Sequence, residues 1–188
     1  MNKFLLLAAA AAVPALFASP ASALDLYGVA RVGTTTNAEV SAYGTTIDLS
    51  DGSSLNAGVG ARLGGGLYAE ADIDRDSADL NLGGIGLDAT ATTYSGTVGY
   101  EFAGLGNVHP YAEVGYGWTQ AEATVAGLFG VDGDGWGYHY GFGARVPVTS
   151  NVSLDVNYRH RETDLDLDYI GGVDLTTDAV RAGAVFNF

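Results

Sequence analysis

The sequence predicts an all-β protein, a transmembrane antiparallel up-and-down β-barrel of about eight strands. Three observations predict it. Apolar and polar residues alternate with period two in eight segments, most arginines and many acids keep to one phase of that alternation, and the connections are by turns short and long.

The first 23 residues stand apart. Lys3 gives a positive start, residues 4–17 are an apolar run, and Ala21, Ser22 and Ala23 form a small-x-small cleavage site. Residues 1–23 therefore read as a secretory signal and residues 24–188 as the barrel domain. The apolar run is too short for a spanning helix, and no later stretch approaches the roughly 18 to 20 apolar residues that one needs. Removing the signal removes the only lysine and leaves seven arginines against 22 acids. A nucleic-acid partner is excluded, because phosphate contacts need a basic surface. The absence of cysteine excludes a disulfide framework and thiolate-held metals.

The strands follow in order. Residues 26–32 alternate weakly, with Arg31 marking the polar phase. Leu55, Ala57, Val59, Ala61 and Leu63 oppose Asn56, Gly58, Gly60 and Arg62, and Leu67, Ala69, Ala71 and Ile73 oppose Tyr68, Glu70 and Asp72. Tyr94, Gly96, Val98, Tyr100 and Phe102 oppose Thr93, Ser95, Thr97, Gly99 and Glu101, and Ala112, Val114, Tyr116 and Trp118 oppose Tyr111, Glu113, Gly115, Gly117 and Thr119. The pattern repeats in residues 136–146, with Arg145 on the small-residue face, and in residues 152–161, with Asp155, Arg159 and Arg161 on it. Residues 180–188 complete the set, with Arg181 on the polar face.

The connections at 64–66, 103–109 and 147–151 are short, whereas those near 35–53, 76–91, 120–135 and 162–177 are long. Short turns at one end and long loops at the other are the pattern of outer-membrane barrels, with the short turns in the periplasm. The long loops hold sixteen acids, from Glu39 to Asp178 and with Asp74 and Asp76 among them, against Arg75 alone. These are expected to be acidic extracellular loops that attract divalent cations or cationic partners. Residues 79–90 and 163–177 are expected to form hairpins turning at Gly83 and Gly84 and at Gly171 and Gly172, and to project as an exposed sheet.

A soluble sandwich alternates too. Against it, six of the seven mature arginines (Arg31, Arg62, Arg145, Arg159, Arg161, Arg181) share the small-residue face with Glu70, Asp72, Glu101, Glu113 and Asp155. The greasy faces, moreover, carry aromatics near their ends. Tyr100, Phe102, Phe186 and Phe188 lie toward the short turns, and Tyr94, Trp118, Trp136 and Tyr138 toward the long loops. Two bands of this kind match the girdles that aromatic rings form at both membrane interfaces.

The last strand, with Val180, Ala182, Ala184, Phe186 and Phe188 on one phase, resembles the signal that outer-membrane barrels present to their assembly machinery. With the leader and the strand count, the mature chain resembles the small OmpA/OmpX-type barrel superfamily. The resemblance implies a bacterial outer-membrane location, a surround of membrane lipid and lipopolysaccharide, and insertion by the barrel-assembly machinery.

An eight-stranded barrel has an interior just wide enough for side chains to fill. The charged face is therefore expected inside, with Arg62 and Arg145 low beside Glu70, Glu101, Glu113 and Asp155, and Arg31, Arg159 and Arg181 higher, beside Asp72. Such a lumen reads as a solid polar core, with a small or gated ion channel as the alternative. Catalysis has little support, because His109, His139 and His160 are followed two positions later by Tyr111, Gly141 and Glu162, so no serine stands beside a histidine on a strand. No cofactor is indicated. Asp132 and Asp134 are weak candidates for calcium, since the remaining spacing of a calcium loop is missing. The functional expectation is a non-enzymatic barrel with a structural or surface-interaction role; a lipid-modifying enzyme ranks last.

Overall fold

The computed structural model of the chain describes residues 25–49, 52–82, 85–104, 106–125, 129–167 and 171–188. The expected signal at 1–23 lies outside them. Nine strands occur among the described residues: β1 (Asp25–Ala42), β2 (Thr45–Leu49), β3 (Gly52–Gly64), β4 (Leu67–Leu82), β5 (Ile85–Glu101), β6 (His109–Val125), β7 (Phe129–Pro147), β8 (Val152–Leu167) and β9 (Gly171–Asn187). Chain neighbours pair antiparallel, except that β3 bypasses β2 to pair with β1. The last strand returns to the first, with Val29 opposite Val185 and Val32 opposite Ala182, and closes an eight-stranded barrel. Beyond Gly52, β2 takes the place of β3 beside the far end of β1, whose other edge stays paired with β9.

The alternation read from the sequence is the alternation of the wall. Val32, Leu55, Val59, Ile73, Val98, Val114, Phe142, Leu154, Val156 and Val180 are exposed on the outside, while Tyr27, Arg31, Glu70, Asp72, Glu113, Arg145, Asp155, Arg159 and Arg181 are buried within. The turn between β3 and β4 depends on glycine, since Gly64, Gly65 and Gly66 all take positive φ, at 90°, 62° and 89°.

At the other end the structure corrects the expectation of long loops. The stretches near 76–91, 120–135 and 162–177 are continuations of the strands, paired from Asp76↔Ala91 to Leu82↔Ile85, from Gln120↔Asp134 to Val125↔Phe129 and from Glu162↔Thr176 to Leu167↔Gly171. Gly171 and Gly172 open β9 instead of forming the turn, and residues 83–84 lie outside the described residues. Strands β4 to β9 are 16 to 19 residues long. A transmembrane strand needs only about 9–11, so several residues of each run beyond the membrane section.

In this projecting part the alternation changes sense. Outward positions pass from Ile73 to Arg75, from Trp136 to Asp134 and from Val180 to Asp178, and beyond them stand exposed Asp88, Glu122, Asp132, Asp164, Asp166 and Asp174. Inward positions pass from charged groups to buried Ala38, Ala78, Leu165 and Val173. On β1 the change coincides with a bulge between Thr35 and Asn37, which gives both Thr35 and Ala38 an inward position three residues apart. The lower section is greasy outside and polar inside; the upper is polar outside and apolar inside.

Candidate functional site: a charge-filled lumen

Five arginines (Arg31, Arg145, Arg159, Arg161, Arg181) and six acids (Glu70, Asp72, Asp74, Asp76, Glu113, Asp155) face one another inside the barrel, none more than 5% exposed. They come from six strands, β1, β4, β6, β7, β8 and β9, so the network joins strands that never touch through their backbones.

At the short-turn end Tyr27, Tyr68 and Tyr111 surround the Arg145 guanidinium, whose central carbon is 5.4, 4.6 and 4.6 Å from their ring centres, with Tyr68 and Tyr111 edge to face at 82°. Their hydroxyls donate to Glu70, Glu113 and Asp155 respectively, so the rings present π-faces to the cation while their edges are fixed by carboxylates. Arg145 itself donates to Asp155 at 3.1 Å and to Glu101 at 3.2 Å. Each ring covers a glycine on the neighbouring strand, Tyr27 opposite Gly60, Tyr68 opposite Gly99 and Tyr111 opposite Gly143. A Cβ on any of these glycines would run into the ring above it. Gly99→Val should therefore push Tyr68 off Glu113 and lower stability by about 1–3 kcal/mol, the usual cost of overpacking; urea unfolding in detergent measures it.

Above this layer Arg31 donates to Asp155 (2.7 Å), Asn56 (2.7 Å) and Glu70 (3.0 Å). Arg159 joins Glu113 at 2.7 Å to Asp74 at 3.0 Å. Asp72 is 3.8 Å from the nearest Arg159 nitrogen and is completed instead by neutral donors, Thr97 at 2.7 Å and Asn56 at 3.2 Å. Higher still, Asp74 receives Arg161 and Arg181, each at 2.6 Å, and Asp76 receives Arg161 at 3.0 Å. The Thr93 and Thr119 hydroxyls are 2.8 Å apart, with Thr93 opposite Asp74 in the register, and the apolar side chains of Leu165 and Val173 are buried further along the strands.

Several residues sit elsewhere than expected. Arg62 is not in the network: it is part-exposed at the mouth, bonded to Asn187 at 2.7 Å and Asp25 at 3.3 Å, because it stands beside the short turn where the lumen meets solvent. Arg31 is lower than expected, level with Glu70 and not with Asp72. Glu113 takes Arg159 instead of Arg62 or Arg145. Asp74 and Asp76, counted among the loop acids, are buried hubs of the lumen; the inward phase of β4 simply continues through Glu70, Asp72, Asp74 and Asp76. The tyrosine layer was also missed. Its signal is a repeat, Tyr68-Ala69-Glu70 and Tyr111-Ala112-Glu113, at the start of successive hairpins.

Among the other named positions, Trp118 stacks on Tyr94 and donates to Asp134 at 3.2 Å. Tyr100 meets Phe102 edge to face at 5.1 Å, and Trp136 stacks on Tyr116 at 5.4 Å. On β7 the outward aromatics run on through Tyr138 and Tyr140 to Phe142, so there they form a continuous wall. Phe186 and Phe188 are exposed, and the Phe188 amide donates to Leu26 O at 3.0 Å. Among the described residues no group of three or more His, Cys, Asp or Glu is arranged to hold a metal ion.

Residues 4–188 match the family model described as an outer membrane protein beta-barrel domain. The chain belongs to that family. This outer-membrane barrel is similar in fold to Neisserial surface protein A, with 20% identity, a TM-score of 0.67, and coverage of 87% of this chain and 97% of that one. It is similar also to OprG from Pseudomonas aeruginosa (12% identity, TM-score 0.63, 88% and 96% covered). A third similar structure is Ail, the attachment invasion locus protein of Yersinia pestis, in complex with the heparin analogue sucrose octasulfate (14% identity, TM-score 0.53, 87% and 100% covered). No curated protein sequence matches the chain. The family makes it a bacterial outer-membrane protein, and these structures share its barrel fold.

Proposed function

We propose that this outer-membrane barrel is a non-catalytic anchor whose membrane section is a solid polar core and whose projecting, acidic sheet meets cationic molecules outside the cell. The observation that carries the reading is the lumen, where eleven buried charged side chains are cross-linked from wall to wall. In this orientation the short turns lie in the periplasm, the hairpins lie outside, and the greasy belt meets lipid and lipopolysaccharide after delivery by the assembly machinery. Ail carries an attachment name and was crystallised with a polyanion; the exposed acids of this chain suit the opposite charge, divalent cations or polycationic partners.

His139 is buried against Thr97, 3.0 Å away, and His160 has a carboxylate on each ring nitrogen. A narrow ion path is the second reading, favoured by a cavity of about 380 Å³ at the short-turn mouth that reaches Arg145 and Glu101. The test is polylysine binding to the folded protein in neutral micelles at rising salt. Binding should weaken steeply as the Debye length shrinks from about 30 Å to about 8 Å, and should be lost when Asp132, Asp164, Asp166 and Asp174 are all changed to Asn. Salt-independent or unchanged binding would remove the acidic sheet as the contact surface.

A further inference from the structure

Just beyond the greasy belt, one cluster of titratable groups stands on the outside of the wall. The outward face of β8 passes from Leu154, Val156 and Tyr158 to His160 and Glu162, and that of β9 from Val180 to Asp178. His160 Nδ1 is 2.8 Å from Asp178 Oδ1, and Nε2 is 3.2 Å from Glu162 Oε1. The Tyr158 hydroxyl donates to the same Asp178 oxygen at 2.6 Å. From β1, Asn37 Nδ2 reaches Asp178 Oδ2 at 3.3 Å and Glu39 at 3.0 Å. From β7, the Tyr140 ring lies 4.8 Å from the imidazole, and Tyr138 stands opposite Glu162 in the strand register. The groups are thus engaged with one another and do not open toward a ligand. They join four strands at the height where the β1 bulge falls and the alternation changes sense.

We propose that Asp178, His160 and Glu162 form a proton-operated latch that ties the projecting β8–β9 hairpin to the membrane section while the imidazole is charged. A neutral imidazole has one N–H and can serve one carboxylate; the charged ring donates to both. Among the described residues no other cation competes: the groups facing His160 are Tyr138 and Tyr140 from β7, Tyr158 and Glu162 from β8, Asp178 from β9, and Asn37 and Glu39 from β1, while Arg159 and Arg161 point into the lumen. Partial burial works against the charge, but the hydrogen bonds with Asp178 and then Glu162 outweigh it and hold His160 above its ordinary value. The folded-state value is raised, so the latch is complete below about pH 6.5 and is lost as pH rises through the folded-state value.

The test is NMR on the folded barrel in micelles, following the His160 ring signals and the amide exchange of residues 162–177 from about one pH unit below 6.5 to about two above it. The His160 midpoint should lie above 6.5, and Asp178→Asn and Glu162→Gln should each lower it. After correction for intrinsic exchange, hairpin protection should fall as His160 deprotonates, by about tenfold for each unit of midpoint shift. Amides of the β3–β4 turn should show no such change, and His160→Gln should leave the hairpin in its less protected state at every pH. A wild-type midpoint at or below 6.5, or hairpin protection that does not follow the His160 titration, would overturn the latch, and both readings need only the wild-type protein.

Discussion

Replacing Asp74 with alanine should leave the barrel unable to fold stably. Asp74 is fully buried, and its two oxygens accept from Arg159 at 3.0 Å, from Arg161 and Arg181 at 2.6 Å each, and from Asn56 at 3.0 Å. Deleting the carboxylate leaves three guanidinium groups without their shared counter-charge. Removing one partner of a buried pair typically costs about 3–5 kcal/mol, against a total stability of order 5–15 kcal/mol for a domain. Asp74→Asn keeps an acceptor but not the charge, and should fall between. Asp164→Ala, exposed on the outward face of β8, should stay within about 0.5 kcal/mol. Urea titration in a defined detergent, read by the mobility difference between heated and unheated samples on a gel, ranks the three. Equal stability of Asp74→Ala and Asp164→Ala would mean that water, and not Asp74, balances the arginines.

The second large effect is expected from Arg145→Ala. This change removes the cation that Tyr27, Tyr68 and Tyr111 share, leaving Arg62 over Tyr27 alone, and deprives Asp155 and Glu101 of a donor. A loss of about 3–5 kcal/mol is expected if the site is as dry as its burial indicates, falling toward about 0–1 kcal/mol if solvent enters from the mouth and screens the carboxylates. Single-channel recording of the same variant separates the two readings of the lumen. Marked destabilisation with no conductance supports the solid core; near-native stability with steady conductance identifies a pore in which Arg145 is the constriction.

Much of this was legible in the sequence because a barrel wall has only two sides. Once Val98 and Val114 were placed outside, Thr97 and Glu113 had to be inside, and the arginines followed. Which arginine meets which acid was not legible, because partners such as Arg31 and Asp155 lie 124 residues apart and their height depends on strand stagger, which alternation does not encode. Asp74 and Asp76 were misplaced for a different reason. Acids in sequence resemble a solvated loop, and only the neutralising groups from β8 and β9, unseen from β4, make them interior residues. The tyrosine layer was hidden because Tyr68 and Tyr111 are amphipathic and fit either face. The latch was hidden because His160, Glu162 and Asp178 are brought together by register alone.

The change in alternation gives this protein a waterline. Along the wall, Tyr94 gives way to Thr92, Trp118 to Gln120, Trp136 to Asp134, Ile73 to Arg75 and Val180 to Asp178, all within one pair of residues. A barrel marked in this way cannot change its draught. Sinking by two residues per strand would carry carboxylates and Arg75 into hydrocarbon, and rising by two would lift Ile73 and Val180 into water, with penalties summed around the whole circumference. Depth is therefore set by the skin of the cylinder and rigidity by its contents. In a thinner or thicker bilayer it is the lipid that must deform around this chain.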